Sequence, residues 1–447
     1  MKTFLNVKKA LTLVLVSAFL ASTSLAAPEQ SQIVRVNPES LRNMILDRNI
    51  GVMISMNQVQ QAKTQVNIAR GNLLPSISLG SILSSPASFL MNTVSSLLPF
   101  LMPSKWLDLK ESTVLLEAQA TSYYIAQLNT YASAYSLYLT VLGDIRLREA
   151  IYKQYLILSS IEVQMRRPAE IGVIPMENYL QAKAQAQLAM IQVSQLDALI
   201  KTEKATIRQM LNLTLDQEIV FDKVNVSPSP AEQATPQELL EPVHANSPET
   251  KQIDTMIRAT YAGKWSKAFG IFSGASLGTQ RGADGSFGDL SATGSVNFGF
   301  SYFPALELSN LNVKSYKLRK QQLKLEQAQL LETALGTMTE AHLQYNQASQ
   351  AEENLTRVYE TVQRQYQVGM TDLLHVFSIA KDLNNAIVYR VKAETNVELV
   401  RVNLHRALIT DQFAQIKGCK LRRKKGGFFD PADKYKMSLD EACKKAR

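Results

Sequence analysis

The residues able to do chemistry are few. The chain holds four histidines and two cysteines in 447 residues. No HExxH, phosphate-loop or nucleophile-elbow spacing occurs, and the cysteines lack metal-ligand spacing. Nothing here points to catalysis or to a cofactor. Cys419 and Cys443 both lie near the C-terminus. In an oxidising compartment they would close one small loop; the other reading is two free thiols in a loose tail. The residues with the sharpest positional meaning are two glycines. Gly172 and Gly369 each break a long helix-forming stretch and permit φ > 0 where a helix must end abruptly. Pro175 suits a first helical position, and Thr371 or Asp372 can cap the helix after the second glycine.

Unusually long helices must carry those turns. Residues 104–167 and 305–368 contain no proline and one glycine each, Gly143 and Gly336. A stretch of that size spans about 95 Å as a helix. Return helices are expected at about 176–213 and 372–416, which contain neither Gly nor Pro. Leu373, Val376, Phe377, Ala380, Leu383, Ile387 and Val391 recur at helical spacing. Ala182, Ala184, Ala186 and Ala189 leave room for close helix approach.

The chain repeats itself at an offset of 197 residues. The segment from Gly172 aligns with that from Gly369, Asn49 with Asn246, and Leu211 with Leu408. Each copy reads as a helix (about 40–70 and about 236–266), two strand-like runs, a very long helix, a glycine turn and a return helix. The expected organisation is a signal peptide over 1–26, a first repeat over 27–212, a linker over 213–245, a second repeat over 246–416 and a basic tail over 417–447. Lys2, Lys8 and Lys9 precede an apolar run, and Ser24-Leu25-Ala26 offers a cleavage site. That run is too short to span a bilayer as a mature helix, and no later stretch of 18 or more apolar residues follows. Net charge is +9. Residues 417–447 hold +7 of it and the signal +3, so the body is near neutral, which argues against a nucleic-acid-binding body.

The strand-like runs decide the class. Leu290 to Phe303 alternates apolar with small polar residues, ending in Phe298, Phe300 and Tyr302 on the apolar face. This is the pattern of a strand with lipid on one side and water on the other. Phe269 to Thr279 is expected to pair with it through a loop at 280–289. In the first copy the runs are 74–83 and 89–101; the second of these also reads as a short helix. Four strands cannot close a barrel, and an open edge in lipid leaves backbone groups unpaired. Three copies would give twelve strands. The fold class is therefore mainly α with membrane β, a tandem-repeat protomer of a trimeric 12-stranded barrel.

This order of elements resembles the TolC-like outer-membrane efflux protein family over roughly residues 35–416. Leu-Leu-Pro-Ser-Ile-Ser-Leu at 73–79, Asn246-Ser-Pro-Glu249 and Arg364-Gln-Tyr-Gln-Val-Gly369 carry the resemblance. It implies a homotrimer whose β-barrel crosses the outer membrane and continues as a long periplasmic α-helical barrel. It implies a periplasmic adaptor protein docking at the turns around Gly172, Pro175, Gly369 and Thr371, and an inner-membrane transporter behind it. Family constriction residues lie about two turns past the glycine, often as aspartates. Here the matching positions are Asn178 and His375, with Ser378 beyond and Asp372 one turn nearer the tip. His375 would either form a pH-responsive constriction or pack between helices, the plainer of the two. Arg364 and Tyr366 match positions that tie neighbouring helix pairs together in a closed state. The resulting expectation is the exit duct of an efflux pump or type I secretion system. The competing expectation is a non-conducting periplasmic coiled-coil adaptor or tether.

Overall fold

The computed structural model describes residues 33–73, 102–270, 274–281, 287–295, 302–419 and 421. The expected signal, the runs 74–83 and 89–101, Cys443 and most of the basic tail lie outside the described residues. The described residues open with β1 (Ile33–Val36), α1 (Pro38–Arg48) and α2 (Ile50–Gly71). Then come α3 (Pro103–Glu170) and its return helix α4 (Met176–Met210). A connecting segment carries β2 (Glu218–Phe221), a 3-10 turn at Pro230–Gln233 and α5 (Pro236–Asn246), leading into α6 (Pro248–Phe269). The strands β3 (Gly274–Arg281) and β4 (Phe287–Ser295) follow, then α7 (Tyr302–Gln367), α8 (Leu373–Leu408) and a 3-10 turn at Asp411–Gln415.

The two long helices have 68 and 66 residues, about 100 Å each. No helix among the described residues is long and apolar enough to cross a membrane; this says nothing of a β-barrel. Tertiary packing sustains these lengths, because isolated helical propensity is weak. The helix α4 packs on α3, α3 on α8 and α8 on α7, so α4 and α7 form the two flanks of a four-helix wall. Away from the glycine turns, α2 and α6 also pack on α3, and α5 and α6 on α7. The largest core lies there, around Tyr131, Tyr138, Phe413 and Ile207. Two of its buried tyrosines keep their hydroxyls satisfied: Tyr131 donates to the Pro38 carbonyl at 3.2 Å and Tyr138 to the Asp222 carbonyl at 2.5 Å.

Several boundaries differ from the sequence expectation, each for a local reason. The expected helix at 40–70 is two helices, because Asn49 leaves the helical region at ψ 125° and caps the Val52 amide with its side chain. The expected helix at 236–266 is likewise broken at Ser247, which precedes Pro248 and caps the Thr250 amide. Phe269 ends α6 instead of opening a strand, and its ring lies 6.2 Å from Trp265 one turn earlier. Tyr302 and Phe303 start α7 instead of ending a strand; Pro304 fits a first helical turn, and the Tyr302 hydroxyl donates to the Ala268 carbonyl. The return helices stop at Met210 and Leu408, where Asn212 and Ile409 take left-handed φ of 50° and 55°.

The strands β3 and β4 pair antiparallel, from Gly274 opposite Ser295 to Arg281 opposite Phe287, with an irregularity between Thr279 and Arg281. The strands run further into the expected 280–289 loop than the composition suggested. A parallel pair not anticipated from sequence joins β1 to β2, Val36 opposite Phe221. It ties the start of the chain to the segment after α4 and buries Val36 and Ile219.

Candidate functional site at the glycine-turn end

Both helix hairpins turn at the same end of the wall. There Met165 and Ala169 of α3, Tyr179 and Ala182 of α4, Val362 of α7 and Phe377 of α8 share one small apolar cluster. Each turn is a Schellman motif with glycine as its left-handed residue: Gly172 at φ 76° and Gly369 at φ 75°. The Val173 amide donates to the Pro168 carbonyl at 2.8 Å and the Gly172 amide to Ala169 at 3.2 Å. In the second copy the Met370 amide donates to Gln365 at 2.8 Å and the Gly369 amide to Tyr366 at 3.0 Å. Pro168, in the last turn of α3, keeps its carbonyl for that motif, and its missing N–H is tolerated so near the helix end.

The next helices start differently. Asp372 caps α8, its carboxylate accepting the His375 amide at 2.8 Å, while Thr371 is half-buried beside it. Pro175 is the cap residue of α4, one position before the first helical position expected for it, and provides no side-chain cap. Asn178 is half-buried, with its amide on the Pro175 carbonyl at 3.1 Å. His375 and Ser378 are exposed in the protomer, so His375 is not packed between this chain's own helices. Tyr366 packs against the apolar cluster. Arg364 folds onto its own helix, donating to the Glu360 carbonyl at 3.2 Å with the Glu360 carboxylate at 3.8 Å. Far from this end, Cys419 is disulfide-bonded and packs against the main core.

The apolar residues flanking the two glycines were not among the residues expected from sequence. Ile171, Val173, Val368 and Met370 are 68–79% exposed, four large apolar side chains at one tip. An ion-pair ladder midway up the wall was likewise not expected from sequence. Arg146 of α3 meets Glu394 at 2.7 Å and Glu398 at 2.8 Å, both on α8. Arg390 meets Glu394 at 3.0 Å and also pairs with Glu352 of α7. Burial raises the Glu398 carboxyl above its usual range, against the pull of Arg146. No cluster of three or more His, Cys, Asp or Glu side chains that could hold a metal occurs among the described residues.

No protein-family model and no curated protein matches the chain. Solved structures do. The Campylobacter jejuni CmeC outer membrane channel aligns with a TM-score of 0.65 at 13% identity, over 85% of this chain and 88% of that one. The outer membrane protein VceC of Vibrio cholerae aligns with a TM-score of 0.65 at 12% identity, over 83% and 95%. The open state of the Neisseria gonorrhoeae MtrE outer membrane channel aligns at 0.58 and 14%, over 83% and 88%. At such identities the likeness is one of fold: this chain folds as these proteins do, along nearly the whole length of each.

Proposed function

We propose that the chain is one protomer of a trimeric outer-membrane exit duct. In this reading β3 and β4 join the first copy's runs and those of two further copies in a twelve-stranded barrel, and the helix walls close into a periplasmic tube. The duct receives substrates from an inner-membrane transporter through a periplasmic adaptor, in a tripartite efflux pump or a type I secretion system. One observation carries the reading. Two hairpins, each a helix about 100 Å long and a return helix about half that length, turn at one tip, while a strand hairpin stands between α6 and the far end of α7. A two-stranded hairpin is marginal alone and must pair further to persist in lipid. The flanks support it as well, since α4 exposes Leu180, Leu188 and Leu199 and α7 exposes Leu311, Leu318 and Leu325.

The adaptor docks on the turns of Gly172, Pro175, Gly369 and Thr371, where the exposed apolar residues around the glycines give it a surface. Asp372, His375 and Asn178 are the candidates for the constriction, and Tyr366 and Arg364 for contacts that hold the tip closed. Planar-bilayer recordings on the purified oligomer test the duct. Stepwise conductance, with the protein in outer-membrane fractions, is expected; a protein that washes off membranes and never conducts would be the adaptor or tether instead.

A further inference from the structure

Where α5 and α6 meet α7 and α8, the fold leaves a cavity of about 660 Å³. That is room for a small organic molecule. The lining is mostly apolar: Leu323, Leu330 and Ala334 of α7, Val400 and Ala407 of α8 and Val243 of α5. All of it comes from one protomer.

A run of hydrogen bonds joins the walls. His244 Nδ1 donates to Gln327 Oε1 at 2.6 Å. Gln327 Nε2 donates to Ser247 Oγ at 2.7 Å, and Ser247 Oγ donates to Glu249 at 2.9 Å. Glu249 accepts from Arg406 Nη2 at 2.7 Å, and the same nitrogen together with Nε donates to Asn129. The run links α5, α7, α6, α8 and α3, so the cavity is held in shape before anything enters it.

A ligand must match what this network leaves over. The lining carboxylates are paired, Glu249 with Arg406 and Glu326 with Arg319 at 3.6 Å. Among the described lining residues no unpaired charge remains to offset the desolvation of an ionic ligand. Arg406 keeps one donor in reserve, since its Nη1 has no hydrogen-bond partner among the described residues. An uncharged molecule with an apolar body and one acceptor oxygen satisfies both conditions. Its body covers the leucines, and a carbonyl or ether oxygen accepts from the guanidinium.

We propose that this cavity binds an uncharged, mainly apolar small molecule through an acceptor oxygen on Arg406. One protomer is enough for the site, which stands apart from the duct reading. A bound molecule touches α5, α7 and α8 at once, so it braces the wall and raises the thermal midpoint as its concentration rises.

Benzophenone is the probe: two apolar rings, one carbonyl oxygen and light-driven insertion into nearby C–H bonds. The full chain in detergent is irradiated with it, and labelled peptides are mapped by mass spectrometry. Saturable labelling within residues 323–337 and 400–407 is expected. Fluorenone should compete about tenfold better than fluorene, which lacks the oxygen. Ala334→Phe fills the cavity and should abolish this labelling. Leu330→Gln, at a half-exposed position on the lip, should weaken it. Helical circular dichroism should be unchanged in both variants. Absent or unsaturable labelling, labelling that both variants leave intact, or equal competition by the two competitors overturns the proposal. Labelling seen only after removal of residues 422–447 would make the chain's own tail the occupant and overturns it as well.

Discussion

Gly172 and Gly369 stand in open space: a Cβ on either would meet nothing within 4 Å. What excludes other residues is the left-handed backbone, not crowding. Gly369→Ala is therefore expected to cost about 1–2 kcal/mol. Gly336→Ala, in mid-helix with equally open surroundings, should gain about 0.5–1 kcal/mol. Thermal midpoints in detergent compare the pair, and shifts of the same sign would contradict this account. A second residue-scale effect lies between α3 and α4, where Asp144 and Glu203 share a hydrogen bond. Burial first, then the Asp144 charge, pushes Glu203 up to about 7. Burial also raises Asp144, while the bond to Glu203 and the charge of Lys392 on α8 oppose it. A carboxyl raised on folding stabilises fully below its unfolded value, here 4.5, and loses that contribution as pH climbs towards 7. Glu203→Gln should thus raise the melting temperature at pH 8 and change it little at pH 5. An equal shift at both pH values would count against a shared proton.

The helices α3 and α8 approach each other closely at Gly143. A Cβ on Gly143 would lie 2.4 Å from Thr395 Oγ1, so this crossing needs glycine for close approach and not for its dihedrals. One turn nearer the tip, Arg146 holds Glu394 and Glu398. Glu398 is 5% exposed. Removing its cation leaves a buried carboxylate unpaired, so Arg146→Met is expected to lose about 3 kcal/mol, with Glu398→Gln in that background recovering part. Denaturant midpoints of the single and double variants measure the coupling, and strict additivity would deny the interaction. Gly143→Ala should also destabilise, and Thr395→Ala should largely repair it. Nearer the tip the hairpins share the smaller, alanine-rich cluster of Ala169, Ala182, Ala186 and Ala380. Parting them there exposes less apolar surface than it would at the main core.

At the scale of the whole molecule, the two flanks of the wall each expose leucines among polar residues and differ from each other. A contact between unlike flanks closes a ring only when every copy offers both. In the proposed ring, Leu188→Glu on α4 and Leu325→Glu on α7 should each stop closure. Mixed together, the two variants retain one intact pair of flanks and should form a heterodimer and nothing larger. Native mass spectrometry reads this directly; homodimers of either variant alone would mean that like flanks meet.

Much of this architecture was written locally. Proline-free stretches, glycines at the turns and period-two alternation are short-range signals, and helix length, turn position and the β3–β4 pairing follow from them. The breaks at Asn49 and Ser247 were equally local, and capping side chains marked both. Other features depend on residues far apart in the chain, which no periodicity encodes. The pairing of β1 with β2, the Gly143–Thr395 crossing and the Arg146–Glu398 bridge exist because packing brings α3 against α8 and the chain's start against the segment after α4. Sequence thus determined what each segment is, since backbone preference acts over a few residues. Tertiary structure alone decided which side chains meet and which are left facing outward, because that depends on burial shared by the whole wall.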